Sequence, residues 1–405
     1  MGVAVGPVDE ERAADFLTAM GQAFGFDTSQ DLQERFSKYF EWDRARAAYD
    51  GDRIVGTLGA FSLDLTVPGG TLPCGGTTVV SVLPTHRRRG ILRQLMDAHF
   101  EDVRAREEPL AGLWASESSI YGRFGYGLAA VGLDVEVSRA HVDFHRLAAM
   151  PAPSRLVSRE EARELLPPFY EQERTKRPGF FARSPNWWEF RRFHDAESDR
   201  GGATAYRYAV TEENGDVTGF VQYRFKEKWD EGHGRGTVIV HELLGSTPES
   251  WAGLWSLVLN HDLTESIEAN NRSIDDPLFG LLGAPRRART TVDDSLWIKI
   301  LDVEKALEGR EYAANVSAVV RLHDPTDATT STWRLDLAPD GASISATSDE
   351  PQVEMDMEDL AACFMGLSRF VALGAAGRVG GEFHTLRALD AAFNWAPQPW
   401  CPEVF

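Results

Sequence analysis

A cluster of arginines stands between an apolar segment and a segment with helical spacing. Residues 79–96 read VVSVLPTHRRRGILRQLM and place Gly90 directly behind three consecutive arginines, the whole set being Arg87, Arg88, Arg89 and Arg93. A helix that begins here leaves its first backbone N–H groups without intrahelical partners, and its dipole adds positive charge at the same end. Glycine allows close approach of a ligand, and arginine adds charged donors. The arrangement suits a pyrophosphate, although a solvated basic patch at a helix start would show the same charges.

The segments around the arginines predict the elements that would position them. Residues 74–84, CGGTTVVSVLP, have the composition of a strand, and residues 110–116, LAGLWAS, predict another. Between them, residues 90–108 have helical spacing with one apolar face, formed by Ile91, Leu92, Leu95, Met96, Phe100 and Val103. Two tyrosines, Tyr121 and Tyr126, follow in SIYGRFGYG. A tyrosine hydroxyl is a weak acid that can donate a proton, but a half-buried ring with a bonded hydroxyl is the alternative interpretation of either residue.

The order of predicted elements divides the chain into three mixed α/β segments. Periodicity is lost and proline increases within residues 141–160, and a new strand-then-helix pattern begins near residue 290. We therefore predict an α/β (α+β) protein with segments at 1–150, 151–289 and 290–405. The second segment has an element order similar to the first, but its strand at 236–245, GTVIVHELLG, is not followed by an arginine-rich loop.

Charge and composition exclude several classes of function. The formal net charge of −20 disfavours a nucleic-acid partner, because phosphate backbones need a basic face. It is compatible with cationic small molecules or basic peptides, and it also keeps a protein in solution. No stretch approaches the roughly 18 apolar residues of a membrane span, and the N-terminus lacks the pattern of a signal peptide. We expect a cytoplasmic protein.

Metal binding is not expected. The three cysteines, Cys74, Cys363 and Cys401, are too few and too scattered for a disulfide framework or a metal site. The sequence HEL at 241–243 has no second histidine at the helical spacing of a zinc motif.

The arginine–glycine block resembles a known cofactor motif. It matches Arg/Gln-x-x-Gly-x-Gly/Ala of the GNAT superfamily of acetyltransferases, with Leu92 in the last place instead of a small residue. Together with ASESSIYGRFGYG at 115–127, the chain length and the terminal phenylalanine, it resembles the Eis (enhanced intracellular survival) branch over the whole chain. The resemblance implies tandem GNAT domains and a sterol-carrier-protein-like domain. The range 1–150 would hold acetyl-CoA, 151–289 would be a degenerate GNAT domain, and 290–405 would supply a catalytic C-terminus.

The resemblance also implies which residues bind acetyl-CoA. The cofactor would lie against a splayed strand at Val80, Ser81 and Val82, with its pyrophosphate on the loop and helix start. The implied pyrophosphate and remaining cofactor contacts are Arg88, Arg89, Gly90, Ile91, Leu92, Arg93, Ser116 and Glu117.

Acyl transfer from a thioester to an amine needs a neutral amine, donors for the oxyanion and a stabilised thiolate. The family match assigns the general acid to Tyr121 and leaves Tyr126 as a packed ring. It assigns the base to the C-terminal carboxylate of Phe405, which would need burial or a water relay because an α-carboxyl has a pKa of about 3.5. The tail WAPQPWCPEVF, rich in proline and aromatic residues, favours a docked end, which could also serve only to pack on the core or a neighbouring subunit.

Relatives in this family acetylate aminoglycosides through a wide acidic pocket. The family carboxylate next to the terminal Phe is replaced here by Val404, with a carboxylate one residue earlier. The candidate acceptor contacts are therefore Phe24, Phe26, Asp27, Phe36 and Glu403. The family further implies a homo-hexamer. The alternatives are a lysine acetyltransferase of proteins or peptides, and a binding module for acyl-CoA or lipid without catalysis.

Overall fold

The computed structural model describes residues 2–146 and 148–405, and it contains three principal β-sheets with helices packed against them. The strands of the first sheet, in spatial order, are Ala4–Pro7, Arg46–Asp50, Arg53–Val67, Gly70–Val82, Leu110–Leu113, Trp297–Ile300 and Gly127–Leu128. Its helices are Ala13–Phe24, Gln30–Tyr39 and Ile91–Ala105. The first helix ends at Gly25 in the left-handed conformation, and the second begins at Ser29, whose hydroxyl accepts from the Leu32 amide.

The second sheet also has seven strands within the described residues. In spatial order its strands are Ala288–Asp294, Val131–Ser138, Thr264–Arg272, Gly236–Gly245, Asp216–Lys226, Arg207–Glu213 and Ser154–Val157. The helices of this region are Arg159–Arg174, Pro185–Trp187, Pro248–Leu259 and Leu278–Leu281, and a π-turn at Trp188–Arg192 follows the second of them. A small hairpin pairs Trp229–Asp230 with His233–Gly234.

The third sheet runs Gly341–Ala346, Thr329–Ala338, Val316–Asp324, Val353–Asp356 and Gly380–Gly381. Its helices are Val303–Glu308, Met357–Phe364, Phe370–Ala375 and Phe383–Phe393. No helix of the described residues is long and apolar enough to cross a membrane. The three cysteines are buried free thiols.

Two strands pair in a different sheet from the one formed by the rest of their predicted segment. Val131–Ser138 lies within 1–150 but pairs in the second sheet, and Trp297–Ile300 lies within 290–405 but pairs in the first. The ladder continues through the crossing, because the amides of Ala129 and Ala130 both donate to the carbonyl of Leu296 at 2.8 and 3.0 Å. Backbone pairing thereby joins the two sheets.

The first and third segments share a hydrophobic core. Phe16 and Leu110 from the first sheet region cluster with Val320 of the third sheet and with Phe405, the last residue. Burial of this continuous apolar surface fixes the C-terminus against the first sheet.

Candidate active site

The strand Gly70–Val82 carries a bulge and then separates from its neighbour. It pairs with Arg53–Val67 through Thr57 and Ser81, but the next pair is Gly59 with Thr78, so two residues oppose one. On its other side, parallel pairing with Leu110–Leu113 ends at Thr77 and Leu113. Residues 78–82 are therefore without a ladder partner on that side. An extended ligand could pair with the backbone there in the way that an added strand does.

The three residues expected on the splayed strand lie beyond this point. Val80 and Val82 are half-buried, whereas the side chain of Ser81 is buried. The hydroxyl of Ser81 lies 2.7 Å from the hydroxyl of Thr57, so it is already bonded within the sheet. Backbone groups, rather than this hydroxyl, are therefore available to a ligand.

The loop after the strand forms a cradle at the start of a helix. Arg88 and Gly90 adopt left-handed backbone angles, with φ of 64° and 76°. The helix Ile91–Ala105 begins at Gly90 without a side-chain cap, which leaves its first N–H groups pointing out of the helix. A Cβ added at Gly90 would meet nothing within 4 Å, so the space in front of these groups is open. Such a site fits a pyrophosphate.

The arginines around the cradle differ in their partners. Arg89 donates to the Thr85 carbonyl at 3.3 Å, which keeps its side chain at the loop. Arg93 donates to the carbonyl of Thr326 at 3.0 Å, a contact with the third domain. Arg88 has no ion pair within the described part of the chain and is exposed. The sequence indicated that these arginines could bind an anion, but no pattern in it predicts the contact between Arg93 and Thr326.

Tyr121 lies between two short 3₁₀ turns and is buried. Its ring contacts that of Tyr126 edge-on, with centroids 6.0 Å apart. Burial, with a further contribution from the charge of Glu117, raises the pKa of Tyr121 to about 12. The hydroxyl therefore stays protonated at neutral pH and can act as a donor. Ser116 and Glu117, which precede the first turn, are exposed.

Tyr126 is part of a buried hydrogen-bonded chain. Its hydroxyl lies 3.0 Å from that of Thr77, which in turn lies 2.7 Å from Nε2 of His99. Burial and the charges of Arg44 and Arg46 lower the pKa of His99 to about 3. This chain ties the last paired residue of the strand to the helix behind it.

The C-terminal residue reaches the same strand. Phe405 is 8% exposed, and its ring packs edge-on against Phe181 with centroids 5.6 Å apart. A Cβ added at Gly76 would stand 3.3 Å from Cε2 of Phe405, so the ring contacts the strand one residue before Thr77. Phe405 and the Tyr126 hydroxyl thus contact adjacent residues of one strand, Gly76 and Thr77, whose side chains point to opposite faces of the sheet.

The candidate acceptor residues fall into separate environments. Phe24 and Phe26 are 42% and 43% exposed and stack on each other at 6.4 Å, followed by the exposed Asp27. Phe36 is buried against Phe40 at 4.4 Å. Glu403 is 2% exposed and pairs with Arg183 and Arg192, so its carboxylate faces the second domain.

Comparison with known protein families covers almost the whole chain. Residues 4–129 and residues 179–300 each match an acetyltransferase (GNAT) domain family. Residues 303–402 match a sterol carrier protein domain family. The predicted order of tandem GNAT domains followed by a sterol-carrier-protein-like domain is therefore confirmed. The matched acetyltransferase domains imply acetyl-CoA as co-substrate and an amine as acceptor.

Similar proteins extend over the same length. An uncharacterized N-acetyltransferase of Streptomyces avermitilis is 36% identical over 94% of both chains. The N-acetyltransferase Eis of Mycobacterium tuberculosis is 33% identical over 85% of this chain and 84% of its own. The crystal structure of Eis1 from Mycobacterium abscessus superposes with a TM-score of 0.84 at 28% identity over the whole of both chains. The chain belongs to the Eis family of GNAT N-acetyltransferases and is an acyltransferase.

Proposed function

We propose that the protein transfers the acetyl group of acetyl-CoA to amines of cationic small molecules, aminoglycosides among them. The observation that carries the proposal is the splay of the strand Gly70–Val82 after Thr77, with the open turn at Gly90 beyond it and the ring of Phe405 packed against Gly76. This arrangement supports a thioester held along the strand with its reacting carbon between an acid and a carboxylate.

In this proposal the cofactor binds through backbone and arginine donors. The backbone at Val80, Ser81 and Val82 pairs with the amide arm of the cofactor. Its pyrophosphate is bound by the N–H groups and side chains of the cradle and helix start, namely Arg88, Arg89, Gly90, Ile91, Leu92 and Arg93. Ser116 and Glu117, exposed after the neighbouring strand, supply the remaining polar contacts.

The chemical step is a direct transfer. The neutral amine nitrogen attacks the thioester carbonyl carbon, so that a C–N bond forms and the C–S bond breaks. The leaving sulfur takes the proton of the Tyr121 hydroxyl, and the amine proton passes to the carboxylate of Phe405, directly or through water. Solvent then restores both groups. The raised pKa keeps the Tyr121 hydroxyl protonated throughout the physiological pH range, so that it is available as a donor to the developing thiolate.

Acceptor binding is proposed at the aromatic turn and its acidic neighbour. The stacked and exposed rings of Phe24 and Phe26 offer an apolar face, and Asp27 offers a charge for an ammonium group. Phe36 belongs to a separate, buried aromatic cluster with Tyr39 and Phe40. Glu403 is buried with Arg183 and Arg192, so the proposal gives it no direct contact with the acceptor. By family resemblance we also propose a homo-hexamer, which mass photometry would test.

The test is release of thiol from acetyl-CoA with kanamycin, neomycin, a polyamine and a lysine-rich peptide as acceptors. Untagged protein should be active with the aminoglycosides, and a C-terminal extension should abolish that activity. Faster turnover of the peptide would favour a lysine acetyltransferase. Binding of CoA without release from any acceptor would favour a non-catalytic acyl-CoA-binding module and contradict the proposal.

A further inference from the structure

The second sheet repeats the splayed geometry of the first. Its strand Gly236–Gly245 pairs in parallel with Thr264–Arg272 only as far as Val240 and Ala269. On the other side, Gln222 pairs with Glu242 while Tyr223 pairs with Val240, which leaves His241 as a bulge. The strands separate beyond this point, and a cavity of about 310 Å³ opens there. We name the space between residues 240–242 and 270–272 the second groove.

The protein's own C-terminal tail lines the second groove. The Asn271 side chain donates to the carbonyl of Cys401 at 2.9 Å, and the indole of Trp400 donates to the Asn271 carbonyl at 2.8 Å. The Arg272 guanidinium lies over the Trp400 ring at 4.9 Å, and the Trp400 amide donates to the Pro178 carbonyl at 2.9 Å. In the first sheet, the separated strands are proposed to bind a cofactor. In the second sheet, the corresponding space is lined by the C-terminal tail.

The tail ends in a buried cluster of four charges. Arg183 donates to both carboxylate oxygens of Glu242 at 2.7 and 3.3 Å, and Arg192 donates to one of them at 2.6 Å. Glu403 forms an ion pair with Nε of Arg183, and Nε of Arg192 lies 3.6 Å from the same carboxylate. Two cations thus face two anions, and the cluster is neutral as a whole.

Aromatic rings close the cluster from one side. The guanidinium of Arg183 lies 3.6 Å from the ring centre of Tyr170 and 4.6 Å from that of Trp188. The two rings cover one side of the buried Arg183 guanidinium, and its charged partners lie on the other side. The carboxylates of Glu242 and Glu403 balance the charges of Arg183 and Arg192, so that a neutral residue at position 403 would leave an excess positive charge in the cluster.

We propose that Glu403 is a positioning residue, and that the second groove and the four-charge cluster together hold the tail so that the Phe405 carboxylate reaches the first domain. The proposal rests on the proposed function, because it concerns the group assigned there as the base. A free chain end is ordinarily mobile, and the cluster acts two residues from the terminus. A buried ion pair is a weak source of stability, and in some proteins it fixes the position of a segment, which is the role proposed here.

The proposal assigns a role to the degenerate domain. Its strand supplies Glu242, the segments next to it supply Arg183 and Arg192, and the tail supplies the fourth charge. The Val404 carbonyl, between Glu403 and Phe405, accepts from Arg191 of the same π-turn. Glu403 and Val404 are thereby bound to the second domain, and Phe405, the next residue, contacts the first.

The experiment compares Glu403→Gln with a matched control, Asp195→Asn. Asp195 is also a shielded carboxylate of the second domain that faces two arginines, Arg200 at 3.0 Å and Arg224 at 3.5 Å, but these contacts involve no tail residue. Two readouts are used. One is kcat with KM for acetyl-CoA, and the other is the rate at which a carboxypeptidase releases Phe405.

For Glu403→Gln we expect a loss of at least tenfold in kcat, KM for acetyl-CoA within twofold of the unmodified protein, and at least tenfold faster release of Phe405. Asp195→Asn should leave all three values within twofold. If Glu403→Gln does not fold, the double variant Arg183→Met with Glu403→Gln removes one charge of each sign and should show the same kinetic pattern.

A chain truncated after Val404 distinguishes the positioning role of Glu403 from the proposed role of the Phe405 carboxylate. Loss of turnover on truncation, with normal kcat and normal protection of Phe405 in the Glu403 variants, would overturn the positioning role alone. Faster release of Phe405 with unchanged kcat would also overturn it. Full turnover by the truncated chain would instead refute the proposed role of the Phe405 carboxylate, and the positioning role with it.

Discussion

The ring of Phe405 packs edge-on against the ring of Phe181, with centroids 5.6 Å apart. Phe181 is fully buried and bridges to Leu65 of the first sheet, while the preceding residue accepts from the Thr66 amide at 2.7 Å. The last residue of the chain therefore rests on a segment that itself joins the first and second domains.

Phe405→Ala removes the ring and keeps the carboxylate. Removing a buried phenyl ring should lower the free energy of unfolding by about 3 kcal/mol, measured by urea denaturation. Because the carboxylate loses its anchor, kcat should fall as well. The control is Phe383→Ala, whose ring is 64% exposed and should change neither quantity. Unchanged stability and turnover in Phe405→Ala would contradict the docked terminus.

Arg88→Ala and Arg89→Ala should each weaken CoA binding about tenfold, measured by calorimetry, since each removes a charged donor from the cradle. The effect should shrink at high salt, because exposed charges are screened. Arg286→Ala, an exposed arginine of the second domain, serves as the control. Equal CoA affinity in all three variants would rule out the anion site.

Tyr121→Phe should reduce kcat about 100-fold while the Kd for acetyl-CoA stays unchanged, because only proton donation is lost. The matched control is Tyr126→Phe, which removes a hydroxyl bonded to Thr77. This control should cost about 1 kcal/mol of stability and keep its turnover. Full activity in Tyr121→Phe would exclude the acid role.

The pH profile of kcat/KM for the acceptor should rise from pH 6 to pH 10 without an alkaline limb from Tyr121. Burial raises the pKa of Tyr121 to about 12, so the acid remains protonated over that range while the amine becomes neutral. An alkaline loss below pH 9 that is absent from Tyr121→Phe would show that the tyrosine titrates earlier.

His99 should make the fold sensitive to acid. Burial lowers its pKa to about 3. Below about pH 6.5 the unfolded chain therefore binds more protons than the folded one, and the free energy of unfolding decreases as the pH decreases. Between pH 7 and pH 5 this single group should remove about 2 kcal/mol from the free energy of unfolding. His99→Gln should lose about that much less over the same interval in urea denaturation. Parallel losses in both proteins would exclude His99 as the cause.

Local pattern was sufficient for the elements nearest the arginines. The apolar face predicted over 90–108 appears as the helix Ile91–Ala105, and LAGLWAS contains the strand Leu110–Leu113. The boundaries at 150 and 290 follow changes in composition. They do not predict that Val131–Ser138 pairs in the second sheet and Trp297–Ile300 in the first. Alternation within Val131–Ser138 says that it is a strand, but carries no information about which sheet it joins.

By itself, the sequence determined the family, the order of domains and the identity of the arginine–glycine loop, because each depends on residues that are adjacent in the chain. Only the tertiary structure decided which partner each charged group finds. Glu403 was a candidate acceptor contact by its position near the terminus, but folding brings it to Arg183, 220 positions away in the chain. Arg93 meets Thr326 in the same way. Such contacts depend on how separate domains pack, and no local periodicity encodes that packing.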